Sequence, residues 1–384
     1  MKKVIFVTNI PNPYRIPLFN EMSKQFHENG IHLKIVFGAS SYKRRFFKLD
    51  TKEIKFDYQI LQDTGYTFSK DGEKTLFLYK GLTKLMNREN PDAMMVAGFS
   101  PATLKIFYRK ITKGTPYIIF SGTIEKGNRN QNFIRRFQRS FLTKNAASFV
   151  AYGNMAKQYL VNNGADANKV FIGRNTVDTT FFADKTEELR RTLPTNDSKV
   201  HFTYLGYLVP RKNVQLLLES VKIVAQKRRD FVVDILGDGI STDTLKQYVI
   251  ENKLEDVVIF HGFRQKNEIP SFFAISRGLL FQTDFDIWGL VLNEAMAAGV
   301  PCLSSPNAGA TYDLIDEGKT GFNVDFSNTT LVAERINWLL DHPQEASEIG
   351  KNAAKFIRDN VTVTHAAKGF LDASLYALNS IKVK

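Results

Sequence analysis

Two carboxylates eight residues apart, Asp286 and Glu294, stand in the segment Asp284-Phe285-Asp286-Ile287-Trp288-Gly289-Leu290-Val291-Leu292-Asn293-Glu294. An apolar strand ends near Gln282, a short acidic loop follows, and a helix is expected from about Gly289. The unpaired amides at a helix start can hold a pyrophosphate. A glutamate one to two turns further in can accept both hydroxyls of a ribose. Asp286, at the mouth of the loop, stands where a sugar on that diphosphate would sit. An acid paired with the helix dipole accounts for Asp286 alone, but not for the whole segment.

Two other loops have compatible chemistry. In Gly206-Tyr207-Leu208-Val209-Pro210-Arg211-Lys212-Asn213 a glycine permits a tight turn, and Arg211 and Lys212 offer cations beside a helix start. That favours a phosphate, although Pro-Arg-Lys equally suits a solvated helix start. Gly237-Asp238-Gly239 closes an apolar strand, and its glycines suit either the close approach of a ligand or a plain turn. It lacks the third glycine of a dinucleotide fingerprint, which argues against an NAD-dependent dehydrogenase. No His-Glu-x-x-His pair occurs, His261 is expected simply to end a strand, and the single cysteine, Cys302, reads as a core thiol. One cysteine also excludes a disulfide framework or a multi-cysteine metal site.

The elements that must position these loops alternate. In the first half, strands are expected at 3–8, 32–37, 93–97, 117–121, 148–152 and 170–173. Helices between them are expected at 16–29, 74–88, 101–110, 132–143 and 155–163. The second half repeats the scheme, with strands at 199–206, 231–237, 257–261, 278–281, 301–304 and 321–324. Its helices are expected at 213–227, 243–252, 269–275, 289–298 and 329–340. Such βαβ units imply parallel sheets covered on both faces, with ligands at the carboxyl ends of the strands. The chain is therefore read as α/β, a Rossmann-like domain at 1–175, a polar linker at 176–198 and a second such domain at 199–384. The last helix is able to pack back on the first domain.

At 384 residues, 43% hydrophobic and 24% charged, the composition is that of a globular chain with room for two cores. No apolar run approaches the ~18 residues of a membrane span, and the start of the chain has too short an apolar core for a secretory signal. A cytoplasmic protein is expected. Residues 1–175 carry a net +17 and residues 176–384 a net −4, which together give the +13 of the chain. A basic half suits a nucleic acid, an anionic membrane surface or a phosphorylated substrate. The sharpest basic segments are Lys43-Arg44-Arg45 with Lys48, and Phe133 to Lys144. In the latter, Phe133, Ile134, Phe137, Phe141 and Leu142 share one helical face with Arg135, Arg136 and Arg139 around it. That pattern suits a helix lying on a membrane, and also a helix docked on its own sheet. Phe46 and Phe47 beside Arg44 and Arg45 are the only hint of a base-stacking surface, so no nucleic-acid partner is expected.

The residues from Asp286 to Pro301 resemble the E-x7-E motif of family 4 retaining glycosyltransferases, with Asp for the first Glu and Trp288 for Phe. The other elements occur in order: Gly206 with Arg211-Lys212-Asn213, Gly237-Asp238-Gly239, and His261-Gly262-Phe263. Upstream, Asn175-Thr176-Val177-Asp178 is similar to the Asn-Gly-Val-Asp linker motif. The resemblance covers residues 170–360 well and the first half in outline. It implies a GT-B fold, two Rossmann-like doubly wound domains facing each other across a cleft. The nucleotide-sugar donor would lie on the second domain and the acceptor on the first. By resemblance, Lys212 and Arg211 would hold the donor pyrophosphate, Asp286 the transferred sugar and Glu294 the ribose. Gly289, Leu290 and Val291 would meet phosphates or sugar, and Phe263 and Arg264 the base. Gly206, Gly237, Asp238, Gly239 and Trp288 complete the donor side. Pro13, Tyr14 and Arg15, with Ser121, Gly122, Thr123 and Glu125, are acceptor-side candidates. Tyr207 stands where the family often has an arginine.

The implied reaction is transfer of a sugar from a UDP- or GDP-sugar to a glycan or lipid-linked acceptor, with retention, in bacterial surface-polysaccharide assembly. No cofactor and no essential metal are expected, although Asp284-Phe285-Asp286 is also an Asp-x-Asp, which holds a metal in another glycosyltransferase fold. A transferase acting on a small phosphorylated metabolite and a sugar-nucleotide epimerase are the alternatives. Peripheral attachment to the inner face of the cell membrane through Phe133–Lys144 stays open beside the reading of a helix docked on its own sheet.

Overall fold

The structure, a computed structural model, describes residues 1–40, 51–61, 65–67, 75–128, 133–192 and 198–380. The basic segment at 43–48 lies outside the described residues, as do Pro194 and Asn196. The chain divides into two units, one formed by Met1–Val177 with Val363–Lys384 and the other by Asp178–Thr362.

The first unit contains β1 (Lys2–Thr8), β2 (Ile31–Phe37), β3 (Asp57–Ile60), β4 (Tyr66–Thr67), β5 (Thr75–Leu76), β6 (Ala93–Ala97), β7 (Tyr117–Ser121), β8 (Ser148–Ala151) and β9 (Val170–Ile172). Seven of these form a parallel sheet in the order β3-β2-β1-β6-β7-β8-β9, while β4 and β5 pair antiparallel by themselves. Alternate residues of β1 face opposite cores. Val4 and Phe6 meet the helices Ile16–Glu28 and Val363–Asn379, through Phe19 and Phe370 among others. Ile5 and Val7 face the opposite way, toward Leu82, Ala102 and Ile106. A strand buried on both faces must be apolar at every position, which explains the run Val4-Ile5-Phe6-Val7.

The second unit contains β10 (Val200–Leu205), β11 (Phe231–Leu236), β12 (Val258–Gly262), β13 (Ser276–Phe281), β14 (Cys302–Ser304) and β15 (Gly321–Asn323). Its parallel sheet has the order β12-β11-β10-β13-β14-β15. Phe202, Tyr204, Val233, Ile235 and Leu280 pack there with the helices Val214–Ala225 and Thr329–Asp341. In each sheet the order of strands reverses once, between β1 and β6 and between β10 and β13. Crevices for ligands open at the carboxyl ends of such strand pairs.

The structure corrects several sequence expectations. The stretch at 176–198 contains a helix, Thr179–Thr192, which buries Phe182 and Thr186. Its buried stripe includes threonines, so hydrophobic periodicity could not reveal it. The helix expected from Lys74 begins only at Leu82, because Tyr79 (φ 52°) and Gly81 (φ 82°) adopt left-handed backbone before it. Pro343–Asn360 is an unforeseen helix in the second unit. No helix among the described residues is long and apolar enough to cross a membrane.

Candidate active site

The loops after β10 and β13 flank the reversal point of the second sheet and are stitched together. The Asp284 amide donates to the Arg211 carbonyl (3.0 Å), and the Arg211 guanidinium donates to the Phe285 carbonyl (3.2 Å). Asn213 Nδ2 donates to Asp284 Oδ2 (2.9 Å) and Gln282 Nε2 to Asp284 Oδ1 (3.1 Å), so both oxygens of Asp284 already have donors. At the centre, Lys212 Nζ donates to Asp286 Oδ2 at 2.6 Å. Lys212 is only 4% exposed, and its ammonium also lies 5.0 Å from the centroid of the Phe281 ring. Burial disfavours the Asp286 carboxylate, but the charge and hydrogen bond of Lys212 outweigh it. With help from the Trp288 amide and Arg211, they hold its pKa below the usual range.

A third loop fixes the backbone of Asp286. Its amide donates to the Asn307 carbonyl (3.0 Å), and its carbonyl accepts from the Gly309 amide (3.2 Å). The Asp286 carboxylate also accepts from the Trp288 amide (3.2 Å). The Trp288 ring is buried and donates to Asn293 Oδ1 (2.9 Å). Trp288 therefore anchors the loop rather than presenting a surface to a ligand. Gly289 follows with φ 101°, and a Cβ there would lie 2.8 Å from the Phe281 ring. Glycine alone fits this turn into the helix Leu290–Ala297.

No side chain among the described residues caps that helix, so the amides of Leu290 and Val291 present its partial positive charge. One turn on, about 6 Å along the axis, stands Glu294. Burial pushes its carboxyl up to about 8, opposed by the charge of Lys266, with no hydrogen bond among the described residues contributing to the shift. The ionised carboxyl can accept hydroxyls while the neighbouring helix amides and a cation hold a diphosphate.

Other candidates act through backbone packing. A Cβ at Gly237 would lie 1.8 Å from the Gly206 carbonyl oxygen, and one at Gly239 would lie 2.2 Å from that of Leu208. These glycines let the loops after β10 and β11 touch each other, the close packing that goes with the turn reading of this segment. Asp238 accepts from the Gly239 amide and the Thr242 hydroxyl (2.7 Å each) and closes the same turn. Phe263 is half exposed, while Arg264 pairs with Glu268 (3.0 Å). Sequence reasoning missed Tyr204, whose buried hydroxyl has no hydrogen-bond partner among the described residues and lies beneath Gly206. It also missed the role of Asp234. His201 Nδ1 and His261 Nε2 lie 2.6 and 2.7 Å from its two oxygens, and because a carboxylate only accepts, both rings donate. His261 is thus part of a partly buried cluster around Asp234 as well as a strand end.

In the first unit, Pro13, Tyr14 and Arg15 form a short turn after β1. Arg15 is 7% exposed, donates to the Tyr152 hydroxyl (2.6 Å) and Asn175 Oδ1 (3.4 Å), and lies 5.1 Å from the Phe120 ring centroid. No carboxylate among the described residues meets it. Gly122 packs on Tyr152, where a Cβ would come within 2.5 Å of the ring, and Ser121 accepts the Tyr152 amide (3.1 Å). The Thr123 amide donates to Ser121 Oγ (3.2 Å), whereas Glu125 is exposed and bonded to Asn162 (3.1 Å). The structure thus gathers Arg15, Ser121 and Gly122, and leaves Glu125 outside that cluster.

Residues 185–356 match the family described as "Glycosyl transferases group 1". Among curated proteins, the chain is 28% identical over 201 residues to spore coat protein SA of Bacillus subtilis (50% of this chain, 52% of that one). It is 28% identical over 178 residues to N-acetyl-alpha-D-glucosaminyl L-malate synthase of Bacillus anthracis (46% and 45%). The chain spans about half the length of these relatives. The solved structure of Anabaena HepE in complex with UDP superposes with a TM-score of 0.76 at 17% identity, covering 97% of this chain and 99% of that one. Residues 185–356 are thus similar to the group 1 glycosyl transferases, and the chain as a whole has an α/β GT-B fold of two Rossmann-like units.

Proposed function

We propose that the protein is a retaining glycosyltransferase that takes its sugar from a nucleotide-diphosphate donor, UDP- or GDP-linked, and gives it to a glycan or lipid-linked acceptor of bacterial surface-polysaccharide assembly. The observation that carries this reading is the Lys212–Asp286 pair beside the uncapped helix start at Gly289, with the unpartnered Glu294 carboxyl one turn in. Lys212, Arg211 and the amides of Leu290 and Val291 would stabilise the diphosphate as it leaves. The departing oxygen, on the same face as the incoming acceptor, would take the acceptor proton, which accounts for retention without a protein base. Asp286 would fix the transferred sugar and Glu294 the ribose. Lys212, Arg211 and the helix amides would supply the positive charge facing the diphosphate, the part a metal plays in other transferases. A structural relative solved with UDP supports the donor class.

On the first unit, Arg15 without a carboxylate partner favours an acceptor bearing phosphate or diphosphate. The test is thermal stabilisation by UDP, GDP, ADP, dTDP and NAD. A ligand at about 100 times its dissociation constant adds roughly 2.7 kcal/mol. A shift with one nucleoside diphosphate is expected and names the donor base; a shift with NAD alone would overturn the reading.

A further inference from the structure

The helix Phe133–Asn145 is amphipathic in an unusual sense, because it buries little. Only Leu142 and Thr143 are buried, and the Tyr117 hydroxyl donates to the Leu142 carbonyl (2.6 Å). Its apolar stripe faces outward, with Phe133 81% and Ile134 73% exposed, followed by Phe137 and Phe141. The neighbouring helix Pro101–Lys113 does the same. Leu104, Tyr108 and Ile111 lie at i, i+4 and i+7, one helical face, and all are exposed. The two faces join, since Phe107 meets Phe141 edge-on at 5.2 Å and Phe141 stacks on Phe137 at 6.4 Å.

A contiguous exposed apolar surface of this kind marks an interaction site. Charge identifies the partner. The two helices carry eight cationic side chains and no acidic one. Arg109 is buried and Arg139 reaches Tyr159, but Arg135, Arg136, Lys113 and Lys144 are exposed around the apolar residues. Aromatic and aliphatic side chains rimmed by cations suit the boundary between acyl chains and anionic headgroups. A protein partner would need acidic complementarity around an equally large apolar face, whereas a bilayer supplies both. We propose that the outer faces of Pro101–Lys113 and Phe133–Asn145 form a single platform that docks the first unit on an anionic membrane surface. The inference stands apart from the donor reading, because none of its residues lies in the second unit.

The full chain is sedimented with phosphatidylcholine vesicles, with and without phosphatidylglycerol, at low and high salt. Binding only to the anionic vesicles, weakened by salt, is expected. The pair Phe133→Ser/Phe137→Ser and the pair Tyr108→Ser/Ile111→Ser should each weaken it at least tenfold. Arg135→Glu/Arg136→Glu should weaken it by roughly fivefold per arginine. Melting temperature and nucleotide-induced shifts should stay at parental values, which separates this surface from folding and from the donor site. No binding by the parent, equal binding to neutral vesicles, or an effect confined to Phe133 and Phe137 would overturn the shared platform. Tight binding to an oligonucleotide, lost with the arginines and without vesicle binding, would reassign the surface to nucleic acid.

Discussion

Lys212 Nζ and Asp286 Oδ2 lie 2.6 Å apart although 74 residues separate them in sequence. The pair closes the crevice where the second sheet reverses its strand order, and it holds a largely buried ammonium in place before any donor arrives. On the proposed reading, that cation is already oriented for the charge that would develop on a leaving diphosphate.

Replacing Lys212 with alanine should lower kcat for release of the nucleoside diphosphate well beyond tenfold. Asp286→Asn should leave the buried ammonium with a weaker acceptor and cost about 1–3 kcal/mol of stability. Steady-state kinetics and chemical denaturation check the two outcomes separately. Near-parental turnover of the alanine variant would remove Lys212 from the reaction.

Glu294 connects the site to pH. Its carboxyl, ordinarily near 4.5, is raised by burial to about 8. Between those values the folded protein keeps a proton that the unfolded chain has lost, so stability falls as pH rises from about 4.5 to 8 and then levels off. The slope reaches at most about 1.4 kcal/mol per pH unit, lessened by partial solvent screening. Glu294→Gln should flatten this dependence in melting curves between pH 5 and 9. Ribose hydroxyls donate best to the ionised carboxylate, so affinity for the nucleoside diphosphate should rise with pH up to about 8. A flat affinity profile would argue against the ribose contact.

Gly289→Ala should destabilise the protein by roughly 1–3 kcal/mol, because the new Cβ meets a left-handed backbone and the Phe281 ring together. The displaced helix start should also weaken nucleoside diphosphate binding. An unchanged melting temperature would show that the turn can relax.

Asp234→Ala should cost about 2–3 kcal/mol, since two imidazoles lose their common acceptor in the sheet. Urea denaturation reads this directly. Asp234→Asn, which keeps an acceptor oxygen, should lose less, and nucleotide affinity should be near parental in both variants.

Much of the fold was legible locally. Twelve expected strands match strands of the two large sheets to within two residues at either end, because doubly buried parallel strands need unbroken apolar runs such as Phe231-Val232-Val233. That Arg211, Lys212 and Asp286 stand at strand ends and Glu294 in the following helix could be read from residue type and the adjoining helix starts. The edge strand β3 was missed because Asp57-Tyr58-Gln59-Ile60 has only one covered side and little apolar content.

Partnership was not legible. Nothing local distinguishes Trp288, an anchor bonded to Asn293, from an aromatic ligand platform. Nor does anything local separate Gly237, packed against the Gly206 backbone, from a glycine that admits a phosphate. The helix Phe133–Asn145 makes the same point, since its periodicity established one apolar face without saying where that face would turn. Sequence by itself determined the elements, the chemical groups at the strand ends and the uneven charge, because these depend on neighbours a few residues apart. Only the tertiary structure decided that Lys212 meets Asp286, that Asp234 joins two histidines, and that the phenylalanines of one basic helix are left outside. Those outcomes depend on which distant surfaces fill the space beside each side chain.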